Sequence, residues 1–133
     1  NGIPLFTRLQ MSDIKKIVSM GRLMTVPEKW PLMQEGSIGD EMFVILDGSV
    51  SVQKYGKIVT RLGRGETVGE MGLISEHPRS ADVIVNEETT VFAFGYEAFD
   101  RLERRYPRLA TKVLHNLAVI LSRRLANTTE RLV

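Results

Sequence analysis

Residues 41–55 read "EMFVILDGSVSVQKY". Two runs rich in β-branched and aromatic residues flank Asp47-Gly48. Asp-Gly between such runs signals a hairpin, because a type I′ turn needs positive φ at both central residues. A second reversal is expected near Tyr55-Gly56, followed by "KIVTRL". Further on, "ADVIV" and "TTVFAF" flank Asn86-Glu87-Glu88. Short strands at regular spacing with turn residues between them predict an antiparallel barrel or sandwich over residues 25–94. Long helices do not alternate with these runs, which argues against a parallel α/β sheet.

Both flanks of this region read as helix. In residues 1–24, Leu5, Phe6 and Leu9 form an apolar patch. Ser12 then caps a helix carrying Ile14, Ile17, Val18 and Leu23. In residues 95–133, "YEAFDRLERRY" is one segment and Pro107 opens a longer one, as proline does in a first helical turn. The longer segment carries two apolar stripes. Leu109, Val113, Leu117 and Ile120 recur at helical spacing and predict packing on the strands. Leu114, Ala118, Leu121, Leu125, Thr128 and Leu132 step by four and three, a heptad seam with one polar threonine. The second stripe predicts a partner helix, from another copy of the chain; a single broad core face is the other reading.

The chain has 133 residues, which implies one domain with one core. It contains no cysteine, so disulfides, thiolate catalysis and zinc–sulfur sites are excluded, and a reducing cytoplasmic setting is expected. No apolar run approaches the ~20 residues a membrane span needs. The sequence begins at Asn1 rather than methionine, and a fragment of a longer protein is expected. The formal charge is +2, and the arginines concentrate after residue 100. That basic end is read as a solvated helix face rather than a nucleic-acid or membrane contact. His77 and His115, without cysteine or a carboxylate cluster, do not make a metal or haem site. Ser75 near His77 does not amount to a nucleophile–base pair, and no enzymatic activity or cofactor is expected.

The chemistry concentrates in residues 69–83, "GEMGLISEHPRSADV". Backbone N–H groups at a helix start offer donors and a positive dipole end to a phosphate. Gly69 and Gly72 let a ligand approach the backbone, with Met71, Gly72 and Leu73 starting a short helical turn. Arg79, returning on the next strand, would grip two phosphate oxygens with its planar fork. Glu70 cannot face a phosphate, but it suits a sugar hydroxyl that donates to it. The segment is neither a P-loop nor a dinucleotide fingerprint.

The order glycine, acid, short helix, Pro-Arg, small residue, strand resembles the phosphate-binding cassette (residues 69–82) of cyclic nucleotide-binding domains. The resemblance runs over nearly the whole chain. It includes "IPLFTRLQMSDIKKI", then "QEGSIGDEMFVILDGSVSV" with Gly36, Gly39, Asp40 and Gly48 at the family's turn positions, then "LGRGETVGEMGL". It implies an α+β, mainly β fold: an antiparallel jelly-roll barrel with an N-terminal helical segment and two C-terminal lid helices. It also implies roles. Glu70 accepts the ribose 2′-hydroxyl, and Arg79 binds the exocyclic oxygens of the cyclic phosphate. Amides from Gly69 to Leu73 complete the anion site, Ser80 adds a hydroxyl, and Val52, Val59 and Thr60 line base and sugar. The closing helix resembles the dimer helix of bacterial catabolite-activator-type regulators, with Thr128 at the purine edge and Arg124 one turn before it.

Two departures stand out. Trp30 occupies a place where the family often has glycine. Asp82 replaces a small or hydroxyl residue after the cassette arginine, and strand alternation should put it on the face opposite Arg79. The expected function is a regulatory module that binds a 3′,5′-cyclic nucleotide, cyclic AMP before cyclic GMP. It would relay the signal through its C-terminal helix to an effector outside the chain, as a homodimer and without direct nucleic-acid contact. The alternatives are a degenerate domain that only oligomerises and the sensor half of a transcription factor; an enzyme or transporter parent is equally compatible.

Overall fold

A computed structural model describes residues 2–74 and 77–132, with the side chains of Ile74, His77 and residues 127–132 outside the description. A 3₁₀ turn, Pro4–Phe6, precedes helix α1, Met11–Met20. The helix starts earlier than Ser12: Gln10 is the cap, and its backbone N–H donates to the Asp13 carboxylate at 3.1 Å. It also ends earlier than expected. Residues 22–26 form strand β1, Arg22–Val26, so Leu23 is not helical. Gly21 marks the break. A Cβ there would lie 2.5 Å from the carbonyl oxygen of Ala93, so the backbone can approach the sheet at that point only without a side chain.

The strands are β2 (Pro31–Met33), β3 (Ile38–Gly39), β4 (Glu41–Asp47), β5 (Ser49–Lys54), β6 (Lys57–Gly63), β7 (Thr67–Val68), β8 (His77–Pro78), β9 (Asp82–Val85) and β10 (Thr89–Gly95). They form two four-stranded antiparallel sheets, ordered β1-β10-β4-β7 and β2-β9-β5-β6, with a small β3-β8 pair beside them. Among the described residues, hydrogen-bonded ladders do not close these sheets into a barrel. Helices α2 (Met71–Ile74), α3 (Tyr96–Arg105) and α4 (Pro107–Leu132) complete the chain.

The Asp47-Gly48 expectation is corrected here. β4 and β5 do not pair: β4 lies between β10 and β7, and β5 between β9 and β6. The chain changes sheets at Gly48, whose φ is +106 and whose added Cβ would lie 2.3 Å from Thr89 Oγ1. The glycine serves a corner rather than a two-residue hairpin. The second crossing, Asn86–Thr89, packs against the first. Ser51 donates from its hydroxyl to Asn86 Oδ1 at 2.7 Å, and the Ser49 N–H donates to Thr89 Oγ1 at 3.2 Å. The reversal at Tyr55-Gly56 is a true hairpin, with φ of +55 and +74 and Lys54 opposite Lys57.

β4 and β10 are buried on both faces, which explains their continuous apolar sequence. Met42, Val44, Phe92 and Phe94 point toward the helices and join Leu5, Ile17, Phe99 and Leu102. Phe43, Ile45, Val91 and Ala93 point the other way and meet Val50, Val83 and Val85 of the second sheet. Phe94 stacks near Phe92 with ring centroids 5.9 Å apart and meets Phe99 edge-on at 6.5 Å. Burying side chains of this size contributes roughly 1.5–3 kcal/mol each. Leu109, Val113, Leu117 and Ile120 are buried in the helix-side core, where α4 packs chiefly on α3 and the N-terminal turn rather than directly on the strands. No helix among the described residues is long and apolar enough to cross a membrane.

Candidate functional site

α2 is the short helical turn expected within residues 69–73. Gly69 precedes it with φ +77. The N–H groups of Gly72 and Leu73 donate to the carbonyls of Gly69 and Glu70 at 3.0 and 3.1 Å. Two of the five amides expected to meet a phosphate are therefore used inside the turn.

A cavity of about 430 Å³ opens in front of this turn. Val52 comes from β5, and Val59 and Thr60 from β6. Gly69 and Glu70 come from the loop after β7, Ser80 from the approach to β9, and Arg124 from α4. The tertiary structure thus brings together seven of the residues expected at the site. Sequence reading missed Met33, Leu62, Glu66, Val68, Ala81 and Val83 as further lining. The inward alternation of β9 carried the signal for Val83; a methionine in the short β2 carried none.

Glu70 is buried, with 7% of its surface exposed. Its Oε1 accepts a hydrogen bond from the Thr67 hydroxyl at 2.8 Å and a charge-assisted one from Arg124 Nη1. Arg124 Nη2 donates to the Thr67 carbonyl at 2.5 Å. Thr67 was not foreseen, although its side chain holds Glu70 from three residues away. The Glu70 bonds all end on Oε1. Among the described residues Oε2 accepts no hydrogen bond, and Glu70 lines the cavity.

Arg79 is placed differently from the expectation. It does not line the 430 Å³ cavity but a neighbouring one of about 380 Å³, with Gly39, Asp40 and Glu41. Its Nη2 donates to the Glu41 carbonyl at 2.7 Å and its Nη1 to the Gly69 carbonyl at 3.4 Å. Burial lowers its pKa from the ordinary arginine value, opposed by the charges of Glu41, Asp40 and Glu70. A Cβ on Gly39 would lie 2.0 Å from Arg79 Nε, and one on Gly69 2.7 Å from Nη1. The glycines therefore make room for the guanidinium itself, directly behind the backbone that floors the cavity.

Met71 is 43% exposed and Leu73 is buried in the helix-side core, so neither side chain faces the cavity. Gly72 also lies outside its lining and packs against the backbone of Glu41. Thr128 is on α4, but its side chain is outside the described residues. Asp82 points away from the cavity, as expected, and its Oδ1 accepts the Glu35 N–H at 2.7 Å. His115 is exposed on α4, and among the described residues no group of three His, Cys, Asp or Glu side chains is arranged to hold a metal.

The site is concave, with a buried carboxylate, an arginine paired to it and apolar strand walls, an arrangement whose size and lining suit a small ligand. The chain belongs to the cyclic nucleotide-binding domain family, whose profile it matches over residues 23–106. It is 32% identical over 129 residues to the cyclic AMP receptor protein of Thermus thermophilus, covering 93% of this chain and 58% of that protein. It is 34% identical over 111 residues to a cyclic nucleotide-gated potassium channel of Rhizobium etli, covering 84% of this chain and 31% of the channel. The chain thus spans less than two thirds of either relative. The crystal structure of a cyclic nucleotide-binding domain from Methylobacillus flagellatus superposes with a TM-score of 0.89 at 29% identity, covering 98% of this chain and 76% of that one.

Proposed function

We propose that the 430 Å³ cavity binds a 3′,5′-cyclic nucleotide, cyclic AMP before cyclic GMP, and that α4 relays occupancy to an effector outside this chain. The cavity volume falls within the ~300–1,000 Å³ range of small-molecule sites. The observation that carries the reading is a buried Glu70 that lines the cavity beside Arg124 with both of its side-chain hydrogen bonds on Oε1. A ribose 2′-hydroxyl donates to Oε2 without displacing Thr67 or Arg124 from Oε1. Val52 and Val59 offer apolar walls to the base, and the Ser80 hydroxyl meets the phosphate or a syn guanine. The jelly-roll description of the two sheets belongs to the same reading.

Arg79 enters by a side-chain movement. Its guanidinium lies behind Gly69, held by two main-chain carbonyls, and the ring phosphate draws it forward past the α-carbon of Gly69. The turn at Met71–Ile74 moves with it. α4 follows through the Arg124–Glu70 pair, which joins the closing helix to the residue that holds the sugar. The ligand shifts the position of α4 only as far as it prefers one arrangement over the other. The similarity to the cyclic AMP receptor protein supports the ligand order. The reading is of binding without turnover, in a cytoplasmic setting, by a dimer formed through the outer stripe of α4. Leu125 on that stripe is 68% exposed.

A second reading is a degenerate domain that oligomerises without nucleotide. The placement of Arg79 outside the cavity favours it. Isothermal titration calorimetry separates the two. A saturable cyclic AMP isotherm that disappears in Arg79→Ala supports the sensor. Flat isotherms for both cyclic nucleotides with a persistent dimer support the degenerate domain.

A further inference from the structure

A third, smaller cavity of about 210 Å³ lies between the N-terminal turn and α4. Asn116 builds it. The side chain of Asn116 is buried, and its Nδ2 donates to the carbonyls of Leu5 and Thr7 at 2.9 and 2.8 Å. These bonds fix the chain just before Arg8, which adopts φ +64, a conformation uncommon for a non-glycine residue. Arg8, His115 and Arg123 line the cavity together with Thr7. Asn116 and Arg123 share a helix face, because residues seven apart in an α-helix return to nearly the same direction, and His115 flanks that face.

No carboxylate lines this cavity. Among the described residues, the guanidinium groups of Arg8 and Arg123 have no ion-pair or hydrogen-bond partner. Two unneutralised arginines around one concavity produce a focused positive field. Arginine forks match the oxygens of a phosphate. At about half the volume of the main cavity, the space takes a phosphate group rather than a whole nucleotide.

The geometry points to this cavity as a binding site for a phosphate group, separate from the cyclic-nucleotide cavity and served by the neighbouring residue of the same helix: Arg124 faces one and Arg123 the other. An occupant would tie the N-terminal turn to α4 beside the Asn116 bonds.

The test is an amide-resolved NMR titration of this chain with inorganic phosphate, with sodium chloride adjusted to keep ionic strength constant. Saturable shifts are expected at Thr7, Arg8 and Asn116, with at least a tenfold weaker apparent affinity in Arg8→Gln/Arg123→Gln. Arg104→Gln/Arg105→Gln, altered elsewhere on the surface, should titrate like the parent. If the double variant fails to fold, Arg123→Gln alone supplies the comparison, since Arg123 is exposed. Phenyl phosphate in a parallel titration distinguishes the source: tighter binding than inorganic phosphate assigns a phosphomonoester, equal or weaker binding assigns the free anion. Linear shifts without saturation, or equal affinities in parent and variants, overturn the site. A cyclic AMP titration read at Gly69 and Glu70 in the same samples reports on the main cavity independently.

Discussion

Arg124 and Glu70 are 54 residues apart in sequence, yet the guanidinium of one closes on the carboxylate of the other across the mouth of the main cavity. The pair joins the C-terminal helix to the loop that starts α2. It is asymmetric: the Glu70 side chain is 9% exposed and the Arg124 side chain 39%.

That asymmetry sets the cost of breaking it. Removing one partner of a fully buried pair costs about 3–5 kcal/mol. Solvent reaches Arg124 and reduces this, so Arg124→Ala is expected to lose about 1–3 kcal/mol of stability. Urea denaturation measures it. An unchanged midpoint would mean that the pair contributes nothing to holding α4.

Arg79→Ala is expected to weaken cyclic nucleotide binding by about 2–5 kcal/mol, the scale of truncating a charge partner in a desolvated complex. Calorimetry with cyclic AMP reads the loss directly. Binding as tight as the parent's would leave Arg79 with only its bonds to the Glu41 and Gly69 carbonyls.

Glu70→Gln should cost roughly 1.5–3 kcal/mol of affinity, the scale of a hydrogen bond to a charged group. A 2′-deoxy analogue tests the same contact from the ligand side and should bind the parent protein correspondingly more weakly. Full affinity for that analogue would require Glu70 to act only through Arg124.

Gly39→Ala places a methyl group 2.0 Å from Arg79 Nε, so the guanidinium must leave its cradle. Overpacking of this kind costs about 1–3 kcal/mol. Thermal unfolding of Gly39→Ala alone and combined with Arg79→Ala decides the cause. The penalty should shrink in the double variant, because the clashing side chain is gone.

Leu125→Glu puts a charge on the exposed outer stripe of α4. Sedimentation velocity should show a dimer for the parent and a monomer for the variant, with unchanged circular dichroism. The same sedimentation coefficient for both would remove α4 as the dimer surface.

The local chemistry of this protein is written in short-range pattern. The strand-like runs, the proline that opens α4, the core stripe at Leu109, Val113, Leu117 and Ile120, and the glycine–acid–turn order at 69–73 all follow from backbone preference and helical period, which neighbouring residues impose on each other. They predicted mainly antiparallel strands between helices, and they located the cavity's carboxylate. Other features depended on residues distant in sequence. Asp47-Gly48 has the composition of a hairpin but changes sheets, because Thr89 packs against Gly48 and β4 finds its partners in β10 and β7. Residues 22–24 continue an apolar helical pattern but pair with β10, since ladder bonds to an existing strand outweigh weak local propensity. Arg79 lies behind Gly69 because Gly39, forty residues before it in sequence, leaves space there together with Gly69 and Gly72, and the Gly69 and Glu41 carbonyls accept its hydrogen bonds. Side-chain direction and pairing are decided by which surfaces meet, and only the folded chain brings those surfaces together.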